Sequence, residues 1–351
     1  MRKRFRAAGK RGQSTGEHAT VGQLRPDDRL RRLELTVTRR LDGLLHGQHL
    51  GLLPGSGSEL AGSREYRPGE DEVRRMDWAV TARTTVPHVR EVDADRELST
   101  WLLVDSTPSM DFGTAELEKR ELAAAAAAAV GFLTAGAGNR LGAHLIEATG
   151  VRRFPARTGR NHLLGVLRAL LAAPRGGSGA PPALAQAVEA LHRGALRRGL
   201  AVIISDFLDG LPEDVGADPT GRAGVAQHAA EPAWEPPLRR LAARHQVLAV
   251  EITDPRELEL PDVGLITLID PESGLRREVA TGSRELRERF AAAAAEQRRQ
   301  VRQALNRAGA IHLPLRTDRD WVADIVRHVH AQRRLARAAR PPLTDVRGGL
   351  A

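Results

Sequence analysis

From residue 100 onward this chain alternates short apolar runs with stretches of helical periodicity. The runs at 102–104, 141–147, 200–204, 247–252 and 311–315 are bounded by turn residues and read as buried strands. The spacing predicts helices over about 114–134, 161–171, 182–192, 237–244, 284–307 and 321–337. Thr114 is the expected N-cap of the first, with Glu116 and Glu118 near its positive end. Shorter strands are expected at 151–154, after a Thr149-Gly150 turn, and at 265–269, opening a hairpin that turns at Glu272-Ser273-Gly274. This alternation calls for an α/β fold: a doubly wound, mainly parallel, Rossmann-like sheet with helices on both faces.

Two of the expected strands end in aspartate. The first runs into Val104-Asp105-Ser106-Thr107-Pro108-Ser109-Met110, the fourth into Ile204-Ser205-Asp206. Open α/β sheets bind ligands at the carboxyl ends of their strands, and in the 3-2-1-4-5-6 order the first and fourth strands are neighbours. Asp105 and Asp206 are therefore expected to meet above the sheet, where a divalent cation would relieve their repulsion. Thr107 and Ser109 add hydroxyls on the same loop. Carboxylates and hydroxyls are hard oxygen ligands that suit Mg²⁺ or Mn²⁺ rather than zinc. Ser178, in Arg175-Gly176-Gly177-Ser178-Gly179, is the candidate for a further hydroxyl. One coordination position would stay open for a carboxylate from a binding partner. The plainer alternative for Asp105 is a turn with a helix cap; Asp206 at the matching strand end favours the metal site.

Around this unit the chain divides into a basic tail expected to be disordered (1–26), an N-terminal unit (27–99), the α/β unit (100–340) with a surface insertion at 214–236, and a flexible end (341–351). The N-terminal unit opens with a helix from Asp27 or Asp28 to about His46 whose leucines share one stripe. It continues as a smaller β-rich part in which Trp78 and Val80, and then His88 to Val92, alternate as strands do. No run of about 18 apolar residues is present, nor a secretory signal, so a cytoplasmic protein without a membrane span is expected. The chain has no cysteine, which excludes thiolate metal sites and cysteine nucleophiles.

The net charge is +9, yet all but three of the 53 Lys and Arg residues are arginine, the lysines standing at 3, 10 and 119. Arginine and alanine enriched together fit a GC-rich genome, and one tyrosine with six phenylalanines offers few stacking platforms, so nucleic acid is not the expected partner. No phosphate-binding Gly-x-x-x-x-Gly-Lys-Ser/Thr loop occurs, and a haloacid-dehalogenase-type phosphatase would need an aspartate where Thr107 stands. A non-enzymatic role without a small-molecule substrate is therefore expected. The alternative is a metal-dependent, phosphatase-like hydrolase using Asp105 and Asp206. His328 and His330, two apart on a helix, point different ways and are not expected to be ligands.

These motifs resemble the bacterial family called domain of unknown function 58, which carries a von Willebrand factor type A (vWA)-like domain. The resemblance spans about residues 59–340. Arg64-Glu65-Tyr66-Arg67-Pro68-Gly69, Arg74-Arg75-Met76-Asp77-Trp78 and Thr81-Ala82-Arg83 look like its signature block, continued by Val89-Arg90-Glu91 and Arg96-Glu97-Leu98. Asp105 to Ser109 is similar to the metal-ion-dependent adhesion motif Asp-x-Ser-x-Ser, and Ile204 to Phe207 to the strand that closes that site. Thr107 replaces the first serine and keeps a hydroxyl, Ser178 stands about where such domains use threonine, and residues 70–72 are three acids where two are more usual. The resemblance implies a metal-dependent interaction module and, from the company relatives keep, an adaptor or co-chaperone of a MoxR-type AAA+ ATPase. Arg64, Glu65, Tyr66, Arg74, Arg75, Asp77, Trp78 and Arg83 read either as a second interaction surface or as ion pairs bracing the small unit on the vWA-like domain.

Overall fold

The computed structural model describes residues 26–45, 62–67, 73, 76–91, 98–115, 117–134, 138–175, 181–211, 231–269 and 276–338. The expected tails and most of the 214–236 insertion lie outside them, as do Ser178, Arg74 and Arg75. Among the described residues no helix is long and apolar enough to cross a membrane.

Six strands form the central sheet: β3 (Ser99–Asp105), β4 (Arg140–Glu147), β5 (Gly150–Thr158), β6 (Gly199–Ser205), β7 (Gln246–Thr253) and β10 (Ile311–Arg316). Their order is β10-β7-β6-β3-β4-β5, parallel except for β5, which pairs antiparallel with β4 at one edge. This is the expected doubly wound order, with β3 and β6 as neighbours at the switch point. The inner strands are apolar on both faces. Leu102 and Val104 of β3 enter one core cluster while Leu103 enters the other, and Val202 and Ile203 of β6 divide the same way. Parallel strands covered by helices on both sides need this near-continuous hydrophobicity.

The first face carries α3 (Lys119–Thr134), α4 (Arg160–Leu171) and α9 (Trp321–Ala338); the second carries α5 (Leu184–Gly194), α6 (Glu235–Ala242) and α8 (Arg284–Arg307). Alanines 123–129 of α3 are at most 1% exposed, so this helix is buried all round. The reason is a third layer: α1 (Pro26–Leu45) packs across α3, α4 and α9, and its Leu30, Val37 and Leu41 join the same core cluster as the sheet. A helix held between a sheet and another helix needs a thin side-chain coat all round, which alanine supplies without loss of helix propensity.

Two departures from local pattern stand out. Helix α3 begins at Lys119, not at Thr114. The Thr114 N–H and hydroxyl donate instead to the Asp254 carboxylate, at 2.9 and 2.6 Å, so a distant acid outcompetes the local cap. Trp78 and Val80 do not lie on a strand but open α2 (Trp78–Thr84), because Asp77 accepts from the Ala79 and Val80 N–H groups as its N-cap. Helix α2 sits beside a small antiparallel pair, β1 (Gly62–Glu65) and β2 (His88–Glu91). The hairpin β8 (Leu265–Ile269) and β9 (Arg276–Ala280) packs Ile266 and Val279, together with Phe290 of α8, on a small cluster of Leu260 and Phe112, the latter just past the first strand-end loop.

Gly199 of β6 lies opposite Ser99 of β3, and an added Cβ there would lie 2.0 Å from the Ser99 carbonyl oxygen. Backbone cannot yield as a side-chain tip can. Gly199→Ala is expected to cost about 1–3 kcal/mol, read as a lower urea midpoint with unchanged slope.

Candidate functional site

The site lies at the carboxyl edge of the sheet, where β3 ends at Asp105 and β6 ends just before Asp206. Asp105 Oδ1 accepts the Thr107 N–H at 3.0 Å, and Oδ2 accepts the Ser205 hydroxyl at 2.8 Å. The loop then enters a 3₁₀ turn over Pro108–Met110, which brings Ser109 Oγ to 2.9 Å from Thr107 Oγ1. Asp105, Thr107 and Ser109 are all buried. Burial pushes the Asp105 carboxyl above its ordinary pKa, and the neighbouring Asp206 charge pushes it further; the hydrogen bonds from Thr107 and Ser205 pull it back.

Asp206 is held by a strained turn. Phe207, next in the chain, has φ 55°, in the left-handed region a bulky residue avoids. Its N–H donates to Ser205 Oγ at 3.1 Å, and its ring packs edge-on against buried Trp234, centroids 5.4 Å apart. Those contacts keep the turn closed. The structure thus brings together four of the expected residues, Asp105, Thr107, Ser109 and Asp206.

Lys119, the first residue of α3, enters the same space. Its side chain has no exposed surface, and its Nζ donates to Asp206 Oδ2 at 2.9 Å and to Glu257 Oε1 at 2.7 Å. Glu257 belongs to a short helix, α7 (Pro255–Leu258), where it forms a capping box with Asp254. Arg298 of α8 completes the cluster: its guanidinium donates to the Asp206 carbonyl and to Glu251 Oε1, each at 3.0 Å, and to Glu257 Oε2 at 3.4 Å. Glu251 Oε2 meets His312 Nε2 at 2.7 Å. Asp254 is a third strand-end aspartate, following β7, and accepts Thr317 Oγ1 at 2.7 Å as well as both Thr114 donors.

Arg120 acts as a clamp. It donates to the Ser106 carbonyl at 2.7 Å and to the Ala173 and Pro174 carbonyls at 2.9 and 3.1 Å, and it pairs with Asp111 at 2.7 Å. The root of the glycine-rich segment that contains Ser178 is thereby fastened to the Asp105 loop.

Lys119, Arg120, Ser205, Glu257 and Arg298 escaped sequence reasoning. A signal existed for two of them. Lys119 is a lysine where the chain otherwise uses arginine, and Asp254-Pro255-Arg256-Glu257 spells a capping box with proline at its first helical position.

Of the signature block, Arg64 and Glu65 lie on β1 opposite Val89 and His88, and the Tyr66 N–H donates to the Pro87 carbonyl at 2.8 Å. Asp77 caps α2, Arg83 Nε donates to the Ala79 carbonyl at 3.2 Å, and Trp78 is 67% exposed.

Fold and site together define a doubly wound α/β domain, its carboxyl edge built around paired strand-end aspartates. The chain belongs to the family described as "Protein of unknown function DUF58", whose model matches residues 62–300. An uncharacterized protein of Mycobacterium tuberculosis is 54% identical over 309 residues, covering 88% of this chain and 90% of the relative. One of Mycobacterium avium is 45% identical over 188 residues, covering 54% of this chain and 98% of the relative. Similar solved structures include BatB from Bacteroides thetaiotaomicron (11% identity, TM-score 0.34, 68% of this chain and 99% of that one). The SpRpn10 VWA domain is another (10% identity, TM-score 0.33, 65% of this chain and 93% of that one). At these scores the fold assignment rests on the strand order, not on the overlap.

A carboxyl whose pKa rises on folding stabilises the folded state only while protonated. Stability then falls as pH climbs from the ordinary carboxylate value of about 4 through the raised one. Asp105→Asn cannot ionise and escapes that loss. In chelator it is expected to melt above the wild type at pH 7, with the gain disappearing on acidification to about pH 4, read by thermal denaturation across pH.

Proposed function

We propose that this chain is a non-enzymatic, metal-dependent protein-interaction module whose docking face is the carboxyl edge of the sheet. The observation that carries this reading is the Asp105 loop. It sets a buried carboxylate that, among the described residues, receives hydrogen bonds from neutral donors, beside a hydroxyl pair 2.9 Å apart, on the strand at the switch point. Those groups fit a hard divalent cation, Mg²⁺ or Mn²⁺: the donors are oxygens, and the carboxylate's unfavourable burial is what a cation would relieve. Asp105, Thr107 and Ser109 would hold the ion, with Ser178 the candidate for a further hydroxyl. Bound there, the ion would supply the positive charge that captures a partner's carboxylate. Among the described residues no three His, Asp or Glu side chains group as a metal cage, so a carboxylate from outside would add to a shell of few charged ligands.

The family resemblance makes a MoxR-type AAA+ ATPase the proposed partner, with this chain as adaptor or co-chaperone. The α2 unit offers a second contact. Trp78 is an exposed aromatic on α2, which Asp77 caps and Arg83 closes, and Arg64, Glu65, Tyr66, Arg74 and Arg75 belong to the same stretch of sequence.

The test is retention of a MoxR-type ATPase on the immobilised chain with Mg²⁺ or EDTA, beside Asp105→Ala, together with Mn²⁺ titration by calorimetry. The expected result is Mn²⁺ binding and ATPase retention that are both lost in Asp105→Ala, with retention also lost in EDTA. Retention indifferent to chelator and to the substitution would sink the metal-dependent reading. Metal-dependent phosphatase turnover that disappears in Asp105→Asn would replace the module with a hydrolase.

A further inference from the structure

Lys119 is out of place by every local rule. Lysine is seldom fully buried, yet the Lys119 side chain has no exposed surface. A cation in the first turn of a helix opposes the helix dipole, yet Lys119 is the first residue of α3. The chain otherwise uses arginine for nearly all of its basic residues. What specifies lysine is the geometry of its partners. Asp206 Oδ2 and Glu257 Oε1 come from different elements and meet at one ammonium, at 2.9 and 2.7 Å. A compact point charge on a flexible stem serves that arrangement; a planar guanidinium fork does not.

We propose that Lys119 is a built-in cation that neutralises Asp206. The second strand-end carboxylate is then assembled without a metal, and divalent-ion affinity is held down. The other Asp206 oxygen accepts the Leu208 N–H at 3.1 Å, so both are engaged. A divalent ion reaching for Asp206 would confront a like charge already on the carboxylate. It is therefore confined to Asp105, Thr107 and Ser109, and a partner's carboxylate becomes a required ligand instead of an accessory one. This rests on the Asp105 site proposed above for where the ion binds, but not for the role of the ammonium itself.

The test titrates Mn²⁺ alone into the full chain by calorimetry and follows melting in Mn²⁺ and in EDTA, for wild type and Lys119→Gln. Where Lys119→Gln fails to fold, Lys119→Gln/Glu257→Gln is read in its place, since it frees Asp206 while leaving the net charge unchanged. The expected result is a wild type that binds Mn²⁺ weakly and melts only slightly higher in Mn²⁺ than in EDTA, and a variant that binds Mn²⁺ about tenfold more tightly or better and gains more in melting from it. A variant that binds Mn²⁺ no more tightly than wild type, or neither chain binding, overturns the built-in cation. So does a wild type that loses its fold in EDTA. A wild type that binds no Mn²⁺ beside a variant that does upholds the cation and removes metal dependence from the native protein.

Discussion

An ammonium buried to zero exposure must be met by carboxylates or not be there at all, and much of this domain's carboxyl edge is organised around meeting it. Lys119 draws Asp206 from the end of β6 and Glu257 from α7 to a single point. Arg298 then joins Glu257 to Glu251 and to the Asp206 backbone from the far side of the sheet. Elements from both faces are thus tied by charge at one level of the fold, above a core that is mostly aliphatic. Removing one partner from such a cluster leaves a buried charge without compensation, a loss of about 3–5 kcal/mol, which gives each member little freedom to vary.

The same constraint explains where α3 begins. Local propensity would start it near Thr114, but the helix begins at Lys119, from where the ammonium reaches Asp206. Residues 111–115, 117 and 118 lead up to that start. The Lys119 N–H returns to the Phe112 carbonyl at 2.8 Å, Thr114 is diverted to Asp254, and Arg120 closes on Asp111 and Ser106. Behind this entry the helix becomes a rod of alanine because α1 lies over it. Charge fixes its start, and layer thickness fixes its composition.

What was legible in the sequence follows from that division. Strands buried on both faces and long amphipathic helices are stated by residues close together in the chain, and α8 occupies Arg284–Arg307, the span its periodicity predicts. Strand order was legible because the alternation admits few topologies, and the order placed Asp105 beside Asp206. The misses are cases where a long-range partner overrode a local rule. Thr114 had a good capping side chain and used it on Asp254, and Trp78 and Val80 alternated like strand residues until Asp77 capped them into a helix. For Lys119 no local pattern says that two carboxylates from later in the chain will enclose it.

Asp105 and Asp206 are therefore not equivalent, although the sequence presents them as a pair. Both are buried strand-end carboxylates with a backbone N–H on one oxygen. Their remaining oxygens differ: Asp206 meets a full positive charge, Asp105 the hydroxyl of Ser205. A hydroxyl dipole compensates a buried carboxylate far less than an ammonium does, which is why burial and the Asp206 charge still raise the Asp105 pKa. The domain thus keeps one strand-end charge satisfied internally and leaves the other demanding a cation. In the proposed module this asymmetry places chemical need at the Asp105 loop alone, while Lys119 holds the supporting edge in shape whether or not that need is met.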